Sequence, residues 1–310
     1  MFTMKLRKTA ALAVAVLALS ATACGGKEGS AGDKPSGVQP GATNAPALPM
    51  YVVASNVDLK GSATFKAAKE RGKLIIGSKA DQPYLGFEDQ ATKKRSGFDV
   101  EIAKMVAAEL GFTESQIEWK TVDSSTRETA ISKGQVDYYV GTYTINDKRK
   151  AQVGFAGPYY KAGADLLVRK DETAITGPET VKGKKVCSIK GSTPLQEIKQ
   201  PKYGASTTEL GKYSDCVQQL LTKQVDAVTT DDAILKGYAA QNPGKLKVVG
   251  KPFTQEPYGI GMNKEDKVLR DAINDALEKG VKEGTYKKIY EATLGLSGSE
   301  YTAPPALERY

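Results

Sequence analysis

Apolar positions in this chain fall in short runs separated by charged or glycine-containing stretches. Leu74-Ile75-Ile76 is a β-branched run of the kind a strand needs, and comparable runs recur over 136–141, 165–168, 185–189, 225–229 and 246–249. Between them the period changes. Phe98, Ile102, Met105, Val106 and Leu110 recur at helical spacing and share one face, with Gly97 before and Gly111 after to bound the helix. Asp99 and Glu101 fall in its first turn, where carboxylates complement the positive end of the helix dipole. A further helix over 210–223 gathers Leu210, Tyr213, Val217, Leu220 and Leu221, and the chain closes with helices over 264–283 and 285–293, split by Gly284. Strands alternating with helices make this an α/β chain.

The start of the chain follows a different pattern. Lys5, Arg7 and Lys8 precede an apolar run over 10–19 and then small residues up to Cys24, the layout of an export signal over 1–23. The run is too short for a permanent membrane span. Leu19-Ser20-Ala21-Thr22-Ala23-Cys24 resembles a bacterial lipobox, which implies cleavage before Cys24 and lipidation of its sulfur. Residues rich in Gly, Ser, Pro and Ala follow and bury little, so 24–60 is expected to be a lipidated flexible tether. The remaining 250 or so residues suffice for one large domain or two lobes. With Cys24 assigned to lipid, Cys187 and Cys216 are left and are expected to pair in an oxidising compartment, two buried free thiols being the alternative.

Composition narrows the chemistry. The chain has no histidine, so no Ser-His-Asp triad, Cys-His pair or histidine metal site is possible, and two cysteines supply too few soft ligands for zinc. Neither a metal nor a cofactor is expected, and no phosphate-binding Gly-x-x-x-x-Gly-Lys-Ser/Thr loop occurs. The net charge of +8 falls to +5 without the three signal-peptide cations. No arginine-rich arm or basic-aromatic repeat suggests nucleic acid, whereas a mildly basic surface suits anionic ligands.

Two helix starts carry cations where the helix dipole disfavours them. Asn146 reads as a cap that places Arg149 in a first turn, and Asp123 or Ser124 reads as a cap that places Arg127 in another. Free N–H groups beside an arginine suit a bound anion, the alternative being pairing of Arg127 and Arg149 with Glu128 or Asp147. Gly191-Ser192-Thr193-Pro194 reads as a third helix start, with a Thr cap.

The run from Gly97 to Val106, Gly-Phe-Asp-Val-Glu-Ile-Ala-Lys-Met-Val, closely resembles the signature of family 3 extracellular solute-binding proteins, the polar amino-acid receptors of ABC importers. The resemblance covers roughly 65–295 and implies the two-lobed, type II periplasmic-binding-protein fold with two crossing hinge strands. Lobe 1 is expected over 61–167 and 257–310 and lobe 2 over 168–256, with crossings near 166–170 and 251–259. It further implies a ligand gripped in the cleft. The segment Gly141 to Arg149 looks like the one whose hydroxyls, at Thr142 and Thr144, and backbone hold the amino-acid head while Arg149 takes the α-carboxylate. Ser192 and Thr193 match the hydroxyl-bearing loop of the second lobe, and Asp231 matches the acid that receives the α-ammonium.

Side-chain preference rests on Lys79, Ser124 and Arg127. Lys79 stands where receptors of basic amino acids carry an acid, and Ser124 and Arg127 match positions that hold an acidic side chain in glutamate/aspartate receptors. Glutamate or aspartate is therefore expected first and glutamine or asparagine second, since Asp81 could neutralise Lys79. Tyr84 or Phe87 could cover the ligand, although the loop from Lys79 is one residue shorter than usual; Tyr143 and Tyr159 are further aromatics of either role. The resemblance implies a monomeric receptor, not an enzyme, held to the outer face of the bacterial membrane by its lipid and docking on an ABC permease. A membrane-coupled sensor and a dehydratase-like enzyme with Glu88 or Glu128 as its acid are the alternatives.

Overall fold

The computed structural model describes residues 45–309, and the signal sequence and Cys24 read from the sequence lie outside them. The strands are β1 (Leu74–Ser78), β2 (Asp81–Gln82), β3 (Gly86–Glu88), β4 (Arg95–Ser96), β5 (Ile117–Thr121), β6 (Tyr138–Tyr139) and β7 (Gly154–Ala162). They continue as β8 (Ala164–Arg169), β9 (Lys185–Ile189), β10 (Ser206–Leu210), β11 (Ala227–Asp231), β12 (Leu246–Val249) and β13 (Glu256–Met262). The α-helices are α1 (Ala63–Arg71), α2 (Phe98–Glu109), α3 (Arg127–Ser132), α4 (Asp147–Lys150), α5 (Thr193–Ile198), α6 (Tyr213–Leu221), α7 (Asp232–Gln241), α8 (Lys267–Lys282) and α9 (Thr285–Ala292).

Two five-stranded sheets organise the molecule into two lobes. The first has the order β5-β1-β6-β13-β7 and the second β10-β9-β11-β8-β12, while β2-β3-β4 form a small third sheet. In each lobe parallel pairs lie beside antiparallel ones: β1 runs parallel to β5 and β6, and β13 runs antiparallel to β6 and β7. The chain passes between sheets twice. Ala162 pairs with Glu256 in the first sheet, whereas Ala164 pairs with Asp231 in the second, so one passage is the single residue Gly163. The other spans 250–255. The boundary expected at 167/168 therefore moves, because all of β8 belongs to the second sheet. The passages touch each other: a Cβ on Gly163 would lie 2.5 Å from the Thr254 carbonyl oxygen, which only glycine avoids.

Packing explains two other departures from the sequence reading. Helix α2 is buried on almost every side, because α8 and α9 cover what the first sheet does not. Phe98 sits among Tyr159, Tyr160, Tyr286 and Tyr290 at ring separations of 5.5–6.0 Å. The end of the stretch expected as a tether over 24–60 is also not free. From Tyr51 onward the segment is docked: Tyr51 donates its hydroxyl to Glu101 at 2.7 Å, Ala54 N donates to Ala108 O at 2.9 Å, and Val57 and Leu59 pack on the core. Cys187 on β9 and Cys216 on α6 form the expected disulfide.

Candidate functional site

The site is assembled where loops leaving the two sheets face each other. On the first lobe, Lys79 directly follows β1, α3 begins at Arg127, and the stretch after β6 carries Thr142, Thr144 and Arg149. The second lobe contributes Ser192 and Thr193 after β9 and Asp231 at the end of β11. Lys79, Ser124, Arg127, Thr142, Thr144, Arg149, Ser192 and Asp231 are all buried. So many buried polar side chains, drawn from both lobes, are costly unless they serve one another or a ligand.

The helix starts behave partly as read. Asn146 caps α4, its side chain accepting from Arg149 N at 3.0 Å, so Arg149 does sit in the first turn. Helix α3 begins later than expected, at Arg127 itself with Thr126 as the cap residue, because a turn from Asp123 to Thr126 precedes it. In the second lobe Ser192, not Thr193, caps α5 by accepting from Leu195 N at 3.2 Å. That leaves the Thr193 hydroxyl for contacts across the cleft.

Both arginines converge. Arg149 donates to the carbonyls of Thr144 at 2.7 Å and Gly191 at 2.9 Å, and Arg127 reaches the same Gly191 carbonyl at 3.4 Å. The Tyr143 ring lies beneath both, 4.1 Å from the guanidinium carbon of Arg127 and 5.2 Å from that of Arg149, so this tyrosine is a platform for the cations. Glu128 approaches Arg149 at 3.4 Å and Arg127 at 3.7 Å, so one carboxylate serves two guanidiniums. Burial and the nearby Arg127 lower the pKa of Arg149 to about 10. Among the described residues, Arg127 Nε has no hydrogen-bond partner.

At the other end of the cluster Lys79 donates to the Ser124 hydroxyl at 2.9 Å. Burial, and then repulsion from Arg127, bring the pKa of its ammonium down to about 7. The charge of Asp81 favours the Lys79 ammonium, as the sequence allowed, but its hydrogen bonds go elsewhere. Its carboxylate accepts from Ser214 N of the second lobe at 3.2 Å, and its backbone carbonyl accepts from the Tyr238 hydroxyl. Lys79 lines one cavity of about 270 Å³ with Asp81, Lys212 and Tyr238, and Ser124 lines another of about 410 Å³ with Glu128, Arg149 and Gly191.

The second lobe supplies acid. Asp231 accepts from the Tyr258 hydroxyl at 2.6 Å through one oxygen, and its other oxygen has no hydrogen-bond partner among the described residues. Burial and the neighbouring Glu256 raise its pKa well above the usual carboxylate range, so a cation brought beside it would be welcome. Sequence reasoning missed Glu256. This buried hinge residue accepts from Thr193 at 2.6 Å and Thr254 at 2.9 Å, and Thr193 in turn meets Thr144 of the first lobe at 3.1 Å. Tyr84 is half-buried and tied to α2 through its carbonyl, which accepts from Phe98 N at 2.8 Å. Tyr159 is a core residue, its hydroxyl donating to Asp99 at 2.7 Å. No group of His, Cys, Asp and Glu suited to a metal ion occurs among the described residues.

Comparison with known proteins places this geometry in context. The family model for bacterial extracellular solute-binding proteins, family 3, matches residues 74–295. A glutamate-binding protein of Corynebacterium efficiens is 40% identical over 264 residues, spanning 82% of this chain and 90% of that protein. An ABC transporter glutamine-binding protein of Bacillus subtilis is 37% identical over 228 residues, 74% of this chain and 83% of its own length. Among solved structures, an ancestral arginine-binding protein bound to glutamine has a TM-score of 0.68 at 39% identity, over 73% of this chain and 99% of that one.

Proposed function

We propose, from the premise that this chain belongs to the bacterial extracellular solute-binding proteins, family 3, that it captures glutamate by lobe closure and hands it to an ABC permease. Its two-lobed architecture is the type II periplasmic-binding-protein fold. In this reading the amino-acid head bridges the lobes. Arg149 grips the α-carboxylate, the free oxygen of Asp231 takes the α-ammonium, and the hydroxyls of Thr142, Thr144, Ser192 and Thr193 complete the shell. Binding energy realised only with both lobes in place draws the equilibrium toward the closed form. Cys24 anchors the receptor by lipid to the outer face of the membrane, where it works as a monomer.

The observation that carries the acidic preference is the pairing state of Lys79. Its ammonium is buried, bonded to a neutral hydroxyl and adjacent to Arg127, while Asp81 is committed to the other lobe. A side-chain carboxylate there offsets the desolvated Lys79 ammonium and adds to Glu128 beside Arg127, whereas an amide brings no charge. The names of the relatives support glutamate and glutamine alike, and the cations are what favour glutamate in this reading.

Calorimetric titration of the soluble domain, freed of carried-over ligand by refolding, tests this against glutamate, aspartate, glutamine, asparagine, arginine and histidine. Glutamate is expected to bind tightest. Arg149→Ala is expected to abolish binding of every amino acid, and Arg127→Ala to weaken glutamate more than glutamine by at least about tenfold, the scale of one desolvated charge contact. A wild-type preference for glutamine, or equal losses in Arg127→Ala, would overturn the acidic assignment.

A further inference from the structure

We infer that Asp99, in the first turn of α2, is a positioning residue that holds the strained backbone of Thr142 in its binding conformation; this rests on the amino-acid-receptor reading above. Thr142 has a φ of +46°, in the left-handed region that β-branched residues avoid. Such strain persists only where the surroundings over-determine it, and it concentrates at functional sites. Two neighbouring side chains hold Thr142 there. Its N–H donates to Asp99 Oδ2 at 3.0 Å, and its hydroxyl lies 3.2 Å from the side-chain nitrogen of Gln82. Asp99 is itself fixed, since its other oxygen accepts from the Tyr159 hydroxyl at 2.7 Å.

The N–H groups that open α2 do not need this carboxylate. Phe98 N and Asp99 N donate to the carbonyls of Tyr84 and Leu85 at 2.8 and 3.0 Å, so the capping role that the sequence suggests for Asp99 is filled by backbone. Its carboxylate is turned instead to a loop 43 residues away. A glycine at 142 would adopt the same φ without strain. The chain places a threonine there and straps it down, which is intelligible if the hydroxyl is needed in the site. Tyr159 extends the connection, for it lies on β7, three residues before that strand ends at the passage to the second lobe. One carboxylate thus fixes the ligand-side loop against a hinge strand.

The inference has a signature that a merely structural role lacks. If Asp99 acts by holding Thr142 at positive φ, its removal costs affinity when residue 142 resists that conformation and costs much less when it does not. The experiment is a double-mutant cycle of Asp99→Ala and Thr142→Gly, with dissociation constants for L-glutamate and L-glutamine read by calorimetry on refolded protein. Asp99→Ala is expected to weaken the wild-type receptor by about tenfold or more, and the Thr142→Gly receptor by about threefold or less. If Asp99→Ala fails to fold, Tyr159→Phe, which removes one bond from the same carboxylate, is combined with Thr142→Gly and read by the same comparison. A loss factor at least threefold larger in the threonine background supports the inference, and loss factors closer than that overturn it. Failure of the wild-type protein to bind either amino acid overturns the receptor reading and the inference with it, an outcome distinct from binding with additive losses.

Discussion

Lys79 is the residue whose titration reports on the ligand. With its pKa near 7 where the two lobes meet, the ammonium is half neutral at neutral pH. The unfolded chain binds that proton up to about pH 10, so this group makes the fold more stable as pH rises from 7 toward 10. An acidic ligand reverses the balance, because a carboxylate beside Lys79 favours the charged form and binding must then take up a proton above pH 7. Glutamate affinity is therefore expected to hold below pH 7 and to fall by up to about tenfold between pH 7 and 8, whereas glutamine affinity stays flat. Lys79→Gln should remove the glutamate slope. Calorimetry across pH 6 to 8 in buffers of differing ionisation enthalpy checks this, and parallel slopes for the two ligands would exclude Lys79 from the side-chain pocket. Asp99 makes a second point about single residues. As a carboxylate in a helix first turn it suggests a cap, and its contact with Thr142 depends on a loop far along the chain that no local pattern discloses.

Elements differ in how much of them is written locally. Strands β9 and β12 match the apolar runs over 185–189 and 246–249, because each is a β-branched segment bounded by lysine and turn residues. The crossings expected near 166–170 and 251–259 miss β7 and reach only the start of β13, the two strands that carry the hinge ends, for 166–169 lies inside the second sheet. Gly-Phe-Ala-Gly-Pro-Tyr-Tyr-Lys-Ala and Glu-Pro-Tyr-Gly-Ile-Gly-Met hold glycine and proline that weaken strand propensity, and they are strands because they pair with each other across a gap of about ninety residues. The placement of Arg127 and Arg149 at helix starts was legible for the opposite reason, since a cation in a helix first turn is a local misfit. Glu256 was not, for an acid beside proline reads as a solvated loop residue until the second lobe's Thr193 is placed against it. The disulfide joins β9 to α6, the helix whose Ser214 meets Asp81 across the cleft. Closing a loop with a sequence separation of 29, it should contribute about 3 kcal/mol. Replacing both cysteines with alanine is expected to lower the urea midpoint accordingly while leaving amino-acid affinity within about threefold of wild type. A binding loss as large as the stability loss would mean that the bridge positions α6 in the site as well as stabilising the lobe.

At the scale of the whole molecule, the closed arrangement is stitched by contacts that already exist between the lobes. The Thr144–Thr193–Glu256 chain, the Ser214 to Asp81 bond and the Gly191 carbonyl on both arginines all span the cleft. Gly191 is a place where these contacts leave little room. Its φ is +81°, and a Cβ there would lie 2.7 Å from the Ser124 carbonyl oxygen on the opposite lobe. In an open form that collision disappears, leaving only the local strain of a non-glycine residue at positive φ, about 1 kcal/mol. Gly191→Ala should therefore act on closure far more than on folding. Its thermal unfolding is expected to shift by only a few degrees, while small-angle scattering shows a radius of gyration that no longer falls when glutamate is added, and affinity drops by at least about tenfold. Compaction on ligand addition equal to wild type would mean that the loop at Gly191 yields without opening the lobes. In that event the arginine contacts to its carbonyl would be an adaptable feature of the cleft, and closure would be governed by the hydroxyl chain from Thr144 to Glu256 at the hinge.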